Sequence, residues 1–189
     1  MNKSEVQISK FLSLVLRHRP DKTGIQLDQN GWVDVDILLA KSDSHGIKFD
    51  KKTLIHIVET NSKKRFAFSD GFNKIRASQG HSVDIELGYK SQEPPEILFH
   101  GTGEKSVHSM LETGLEKRNR QHVHLSSDIN TAIDVGQRHG KPFVLEVLAK
   151  NMYNDKFEFF LSDNGVWLTD NVPKKYLRCH ECFTSDAMK

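Results

Sequence analysis

The sequence has 189 residues, of which 37% are hydrophobic and 28% are charged. With a mean hydropathy of −0.55, this composition is typical of a globular protein with one larger domain or two small ones, and it argues against a disordered chain. No apolar run approaches the ~20 residues of a membrane span, and no secretory signal is visible, so we expect a cytoplasmic protein. Without a heptad repeat or a long apolar stripe, a monomer is favoured.

Charge is distributed unevenly along the chain. Residues 1–90 hold 15 Lys and Arg against 11 Asp and Glu, a balance of +4, whereas residues 91–189 hold 12 against 14, a balance of −2. The basic first half fits a nucleic-acid or phosphate ligand, although an excess of solvated lysines would give the same balance.

Two cysteines, Cys179 and Cys182, lie near the end of the sequence. Two thiols cannot form a disulfide framework, and a zinc site would need two further ligands where only His180 is near. A redox pair is the other functional interpretation, but plain reduced thiols are favoured. His122 and His124 alternate around one apolar residue, which is more typical of one strand face than of a metal site. We therefore expect no metal.

The first half of the sequence predicts three helices followed by a β-hairpin. Apolar residues recur at helical spacing in each predicted helix, and Ser4 and Asp50 are suitable N-caps for the first and the third. The predicted helices cover 4–18, about 33–41 and 50–61, and the predicted strands cover 66–68 and 74–76. This order of elements is typical of a winged-helix domain.

The second half predicts a different pattern, in which strands alternate with helices. Paired prolines in the stretch GYKSQEPPE favour a linker at 89–96. Strands are then predicted at 97–99, 123–125, 143–148, 157–161 and 166–168, with helices at 104–113 and 130–138. The fold class is therefore α+β, with domains at 1–88 and 97–178 and a C-terminal tail at 179–189.

Cationic and titratable side chains lie at the ends of the predicted elements of the first half. Arg17, His18 and Arg19 end the first helix, where positive charge opposes the helix dipole. The alternative is that Arg17 and His18 contact a phosphate. Arg65, at the start of a strand, leaves the same two interpretations open. The stretch IRASQGHSV at 75–83 is either a solvent turn or a glycine-containing loop that approaches an anionic ligand.

Three stretches of the second half carry similar side chains. They are FHGTG at 99–103, RQHVHLSS at 120–127 and RHG at 138–140. The first follows a predicted strand and precedes a predicted helix, where backbone amides can receive a diphosphate, but it matches neither GxGxxG nor a Walker loop. Each stretch can equally be an ordinary surface loop. The absence of a serine elbow, HExxH or paired-carboxylate motif makes ordinary hydrolases less favoured.

Seven motifs, in this order, closely resemble the RNA 2′-phosphotransferase family. They are LRHRP at 16–20, KRF at 64–66, IRASQGHS at 75–82, FHGT at 99–102, RQHVHLS at 120–126, VGQRHGKP at 135–142 and NGVWLT at 164–169. The resemblance extends from about residue 5 to about Leu177. It implies an N-terminal winged-helix lobe and a C-terminal lobe of the ADP-ribosyltransferase fold, with the active site between them.

The resemblance also implies a reaction. An internal RNA 2′-phosphate attacks the nicotinamide ribose of NAD+, and transesterification then yields 2′-hydroxyl RNA, ADP-ribose 1″,2″-cyclic phosphate and nicotinamide. NAD+ is consumed as a co-substrate, and 2′-phosphorylated RNA is the partner. A spliced tRNA junction, another 2′-phosphorylated RNA and a small phosphorylated molecule all stay open as the natural substrate.

Residue by residue, the family's four essential positions correspond to Arg17, His18, Arg65 and Arg120. The resemblance assigns NAD contacts to His100, Gly101, Thr102, Ser126, Ser127, Gly136, Arg138 and His139, and RNA-phosphate contacts to Arg17, Arg65, Arg76, Gln79 and His81. We predict that Arg17 and Arg65 clamp the RNA phosphate while His18 hydrogen-bonds it. Arg120 would stabilise the transferring phosphate in the second step.

Two other functions remain as alternatives. One is a non-catalytic nucleic-acid-binding module built on the basic first half, which would leave FHGT and RHG unexplained. The other is an ADP-ribosyltransferase that acts on another acceptor, such as a terminal nucleic-acid phosphate. No motif-anchored catalytic glutamate is found, which fits a phosphate acceptor because a phosphate needs no general base to become nucleophilic.

Overall fold

The computed structural model describes residues 2–180, and the chain divides into two compact units at Gly88. Both units are mixed α/β structures with small antiparallel sheets. Within the described part of the chain, no helix is both long enough and apolar enough to cross a membrane.

The first unit contains three α-helices and one three-stranded sheet among its described residues. Its elements are α1 (Lys3–Arg17), β1 (Val33–Asp34), α2 (Val35–Ser44), α3 (Lys51–Glu59), β2 (Phe66–Phe68) and β3 (Lys74–Ala77). The strands pair antiparallel in the order β1-β3-β2. The three predicted helices and the hairpin are confirmed.

Helix α1 begins with a capping box that the sequence pattern did not indicate. Asn2, rather than Ser4, is the N-cap: its side chain accepts from the Glu5 amide, and the Glu5 carboxylate accepts from the Asn2 amide. These bonds satisfy two groups that a helix start would otherwise leave unpaired. At the start of α3, the expected N-cap Asp50 does accept from the Thr53 amide, at 2.8 Å.

Helix α1 packs against the core of the first unit. The helix buries one apolar face against the other elements, with Ile8, Leu12, Val15 and Leu16 in a cluster that includes Leu38, Leu54, Ile57, Phe66 and Ile75. Full burial of each such aliphatic side chain contributes about 1.5–3 kcal/mol. This packing holds the C-terminus of α1 in one position within the unit.

The second unit contains three helices and three small sheets in its described part. Its elements are β4 (Leu98–Gly103), α4 (Val107–Thr113), β5 (Leu115–Glu116), β6 (Val123–Leu125), α5 (Ile129–Gly136), β7 (Pro142–Val147), α6 (Ala149–Asn154), β8 (Phe160–Leu161), β9 (Trp167–Thr169), β10 (Asn171–Val172) and β11 (Leu177–Cys179). The sheets have the orders β11-β7-β4, β6-β9-β8 and β10-β5, and all pairs are antiparallel. A bridge between Phe99 and Ser126 connects β4 to the segment after β6.

The expectation of only two helices in this half was wrong. Helix α6 follows β7 almost directly and has six residues. That is too short for helical periodicity to distinguish it from the apolar strand that precedes it. Its Met152 is fully buried in the core of the second unit, together with Phe159 and Leu145.

Residues 89–96, which the sequence suggested as a linker, are attached to the second unit. Ser91 forms a bridge with Phe160, and the Gln92 amide donates to the Phe159 carbonyl at 2.9 Å. The Lys150 amide donates to the carbonyl of Glu96 at 3.2 Å. The backbone of this proline-containing segment is therefore hydrogen-bonded to the second unit.

Candidate functional site

The C-terminus of α1 brings Arg17 to the start of the β2–β3 hairpin. The Arg17 Nη2 donates to the carbonyl of Arg65 at 3.3 Å, and the Ser78 amide donates to the same carbonyl at 2.9 Å. Arg65 immediately precedes β2 and Ser78 immediately follows β3. Two residues 48 positions apart in the sequence are thus brought together at one point of the first unit.

A buried asparagine holds the Arg65 side chain. The Nη1 of Arg65 donates to Oδ1 of Asn61 at 3.3 Å, and that oxygen also accepts from the Lys63 amide at 3.1 Å. Asn61 is only 3% exposed. Because its position is set by the core, the guanidinium group is oriented before any ligand binds.

His18 is the C-cap of α1 and lies beside the loop that follows β3. Its Nδ1 is 3.0 Å from Oγ of Ser82, and the Ser82 amide donates to the carbonyl of Arg17 at 2.9 Å. Arg19, the third cationic residue of this stretch, instead forms an exposed ion pair with Asp21 at 2.8 Å. Arg17 and His18 therefore contact residues that flank the β2–β3 hairpin, whereas the Arg19 side chain pairs with Asp21.

His81 is the most unusual residue of the first unit. It is 1% exposed, and neither ring nitrogen has a hydrogen-bond partner among residues 2–180. Burial, reinforced by the charges of Arg17, His18 and Arg76, lowers the pKa of His81 to about 3. The ring is therefore neutral near pH 7, with one donor and one acceptor nitrogen. We call Arg17, His18, Arg65 and His81 the Arg17 cluster.

The depressed pKa of His81 predicts acid sensitivity of the first unit. Between the ordinary histidine pKa of 6.5 and about 3, the unfolded chain binds a proton that the folded chain does not, so stability falls as the pH falls. At pH 5 the loss is about 2 kcal/mol relative to pH 8. A His81→Leu variant should lose about 2 kcal/mol less than the parent over this range, measured by urea unfolding at both pH values. Equal losses in the two proteins would contradict a buried neutral imidazole.

Arg76 and Gln79, which are also predicted to contact the RNA phosphate, lie in β3 and in the loop that follows it. The Nη1 of Arg76 donates to the Leu87 carbonyl at 3.1 Å, and its guanidinium carbon lies 4.6 Å from the centre of the Trp32 ring. Both contacts position the Arg76 side chain within the unit, and its charge is one of those that lower the pKa of His81. Gln79 is half-buried in the loop after β3.

In the second unit, the stretch His-Gly-Thr-Gly is part of β4. The strand continues to Gly103, with His100 opposite Leu145 and Thr102 opposite Phe143 of β7. The predicted strand end at residue 99 was therefore wrong, because the stretch belongs to the strand itself, whereas helical structure does follow it. A 3-10 turn at Glu104–Ser106 follows the strand, and α4 starts only after that turn.

Close packing explains why glycines occupy this strand. A Cβ at Gly101 would lie 1.8 Å from the Ala132 carbonyl oxygen of α5, and one at Gly103 would lie 2.4 Å from the His139 carbonyl oxygen. A Cβ at Gly136 would lie 2.8 Å from the carbonyl oxygen of Thr102. Helix α5 and the turn after it thus contact β4 backbone to backbone, at a distance that no side chain permits.

His100 lies near cationic side chains from other segments of the second unit. Its Nδ1 donates to the His124 carbonyl at 3.1 Å, which leaves Nε2 as the acceptor of the neutral ring. Burial is the main cause that lowers the pKa of His100, and the charges of Arg120, His139 and Arg118 lower it further. The half-buried ring is therefore surrounded by positive charge contributed by different segments.

Arg120 determines the tautomer of a second histidine, His124. Its Nη1 is 2.7 Å from Nδ1 of His124. A guanidinium can only donate, so Nδ1 accepts and the His124 proton is on Nε2. Arg118, two residues earlier, adopts a positive φ of 52°, which is uncommon for arginine. We call His100, Arg118, Arg120, His124 and His139 the His100 cluster; its donors and charge suit a phosphate or diphosphate group.

Three further residues predicted to contact NAD are Ser126, Ser127 and Arg138. The Ser126 Oγ donates to the carbonyl of Asp128 at 2.8 Å and accepts from its amide, in a turn that leads into α5. Ser127 and Arg138 are exposed.

The two cysteines lie at the end of the second unit and beyond the described residues. Cys179, in β11, is half-buried, and burial raises the pKa of its thiol. Cys182 lies outside the described residues. Residues 2–180 contain no group of three or more His, Cys, Asp or Glu placed to hold a metal ion.

The sequence analysis assigned no site role to Ser82, which contacts the Arg17 cluster, or to Arg118 and His124, which belong to the His100 cluster. Ser82 stands directly after His81, and Arg118 is part of the basic run KRNR at 117–120. The run itself was a usable signal for Arg118. For Ser82 and His124 the deciding contacts join residues 64 and four positions apart, respectively, through side-chain geometry that no sequence pattern predicts.

Comparison with known proteins identifies a family for this chain. A model of the RNA 2′-phosphotransferase, Tpt1 / KptA family matches residues 3–171. Proteins described as probable RNA 2′-phosphotransferases are similar over most of their length. They include one from Flavobacterium johnsoniae (54% identical, covering 90% of this chain and 93% of the relative) and one from Trichormus variabilis (52%, covering 92% and 95%). This chain belongs to the RNA 2′-phosphotransferase family of enzymes.

Proposed function

We propose that this chain removes an internal 2′-phosphate from RNA and transfers it to NAD+, which is consumed as a co-substrate. A phosphate oxygen of the RNA bonds to C1″ of the nicotinamide ribose while the bond between C1″ and nicotinamide breaks. The ribose 2″-hydroxyl then attacks phosphorus and loses its proton, and the RNA 2′-oxygen leaves and takes up a proton. The products are 2′-hydroxyl RNA, ADP-ribose 1″,2″-cyclic phosphate and nicotinamide.

The observation that carries the proposal is the Arg17 cluster. A phosphate dianion presents only acceptor oxygens, and two guanidinium groups with an imidazole supply donors and charge for them. The phosphate is itself the nucleophile, so the first step needs orientation rather than a base. We assign Arg17 and Arg65 to clamping the phosphate and His18 to hydrogen-bonding it. The neutral His81 adds one donor without adding charge.

The His100 cluster supports NAD+ as the second substrate. Arg118 and Arg120 supply charge for a diphosphate, and the acceptor Nε2 of a neutral His100 suits a ribose hydroxyl. Arg120 is assigned to stabilising the charge that develops on the transferring phosphate in the second step. Gly101, Thr102, Ser126, Ser127, Gly136, Arg138 and His139 are proposed as further NAD+ contacts on the adjoining segments.

The proposal includes the architecture expected of the family. Three helices followed by an antiparallel hairpin support a winged-helix assignment for the first unit. The two three-stranded sheets and the short helices of the second unit support an ADP-ribosyltransferase-like assignment.

The test is a reaction with an oligoribonucleotide that carries one internal 2′-phosphate, with and without NAD+. Chromatography of the RNA and nucleotide products should show NAD-dependent loss of the phosphate together with a cyclic phosphate of ADP-ribose. The matched controls are the same oligonucleotide with a 2′-hydroxyl and one with only a terminal phosphate, and neither should release nicotinamide.

Two results would contradict the proposal and identify an alternative. Nicotinamide release with the terminal phosphate, and none with the internal 2′-phosphate, would indicate an ADP-ribosyltransferase for another acceptor. RNA binding without any NAD+ consumption would indicate a nucleic-acid-binding module.

A further inference from the structure

Ser82 connects the loop after β3 to the end of α1 by two separate hydrogen bonds. Its backbone amide donates to the carbonyl of Arg17 at 2.9 Å, and its Oγ is 3.0 Å from Nδ1 of His18. The first bond satisfies a carbonyl that the helix end would otherwise leave without a partner. Only the second bond depends on the side chain, and its target is the imidazole assigned to the RNA phosphate.

The direction of this second bond decides what the other ring nitrogen can do. If Nδ1 of a neutral His18 donates to Ser82, Nε2 becomes an acceptor and cannot bond a phosphate dianion. If the Ser82 hydroxyl donates to Nδ1, the proton is on Nε2, which can then donate to a phosphate oxygen. The partner of one ring nitrogen thus selects the chemistry of the other.

We propose that Ser82 is a positioning residue that donates its hydroxyl hydrogen to Nδ1 of His18 and keeps the proton on Nε2 for the RNA phosphate. This inference rests on the function proposed above. Arg17 and His18 are adjacent in sequence, and the amide of Ser82 holds the former while its hydroxyl holds the latter. One residue therefore contacts the backbone of Arg17 and the side chain of His18.

The first experiment measures the kinetics of Ser82→Ala and Ser82→Thr with 2′-phosphorylated RNA and NAD+. Loss of one neutral hydrogen bond corresponds to a fall in kcat of about five- to tenfold. The KM for NAD+ should not change. Threonine keeps the hydroxyl and should restore most of the activity. Ser44→Ala is the matched control, because it removes an exposed hydroxyl that bonds backbone carbonyls at the end of α2.

A double-mutant cycle tests whether Ser82 acts through His18. In a His18→Ala background, the further change Ser82→Ala should have no effect, because its target is already removed. The same fold-loss in both backgrounds would overturn the proposal, since it would show that Ser82 acts elsewhere. The backbone bond to Arg17 is unaffected by either change, so the unfolding midpoints should match that of Ser44→Ala.

The second experiment needs no substrate and therefore separates this proposal from the proposed function. In the free protein, 15N NMR of the His18 ring above pH 7.5 reports which nitrogen carries the proton. We expect the Nε2-protonated tautomer in the parent and a mixture of tautomers in Ser82→Ala. An identical tautomer distribution in both proteins would overturn the proposal, even if the enzyme were fully active.

Discussion

Arg65→Ala is expected to lower the rate of 2′-phosphate removal about a hundred- to thousandfold, the usual effect of removing one preorganised donor to a reacting anion. The side chain bonds Oδ1 of Asn61, but that oxygen keeps the Lys63 amide as a donor. The Arg65 carbonyl also keeps its bonds from Arg17 and Ser78. The variant should therefore lose the charge and donors of the guanidinium while the first unit stays folded.

The measurement is kcat/KM on 2′-phosphorylated RNA, together with the amount of ADP-ribosylated RNA that accumulates. If Arg65 holds the phosphate throughout, both steps slow and no intermediate builds up. Arg120→Ala, in contrast, should slow the second step more and let the ADP-ribosylated RNA accumulate. Arg65→Lys keeps the charge but lacks the planar fork, so its rate should fall between those of the parent and of Arg65→Ala.

The matched control for Arg65→Ala is Arg19→Ala. Arg19 is exposed and pairs with Asp21, so its removal deletes the same charge without touching the Arg17 cluster. We expect its activity to stay within about twofold of the parent, because exposed ion pairs contribute little. An Arg65→Ala enzyme that released 2′-hydroxyl RNA at the normal rate would contradict the assignment of Arg65.

Gly101→Ala is expected to destabilise the second unit by about 3 kcal/mol or more, at the upper end of overpacking effects. The added Cβ would lie 1.8 Å from the carbonyl oxygen of Ala132 and 2.6 Å from its carbonyl carbon. Neither atom can rotate away, because both belong to the α5 backbone. Helix and strand must therefore separate, and the contacts between α5 and β4 weaken along their length.

The measurement is denaturant unfolding followed by tryptophan fluorescence. The sequence has two tryptophans, Trp32 in the first unit and Trp167 in the second, so a Trp32→Phe background reports the second unit alone. Gly165→Ala is the control: its φ is +77° and nothing lies within 4 Å of an added Cβ. Its cost should be that of a left-handed residue, about 1 kcal/mol. An equally small effect at Gly101 would indicate that this glycine serves ligand access rather than packing.

Much of the fold could be predicted from local patterns. Helix α1 and the β2–β3 hairpin were expected because apolar spacing and turn residues report which face is buried. Helix α6 was missed because six residues following a strand are too few to show a helical period. The extent of β4 was also misjudged, since two glycines normally indicate a turn, whereas here they permit contact with α5.

The sequence by itself was sufficient to determine the family, because seven motifs in a fixed order identify it without any knowledge of where they lie in the fold. It also identified Arg17, His18, Arg65 and Arg120 as the residues to examine. Only the tertiary structure shows that Arg19 pairs with Asp21 and that Ser82 contacts His18. It also shows that His81 is buried, with no hydrogen-bond partner for its ring nitrogens among residues 2–180. The physical reason is that hydrogen-bond partners and burial depend on the three-dimensional positions of side chains, and for His81 and Ser82 these are set by residues far apart in the chain that the core brings together.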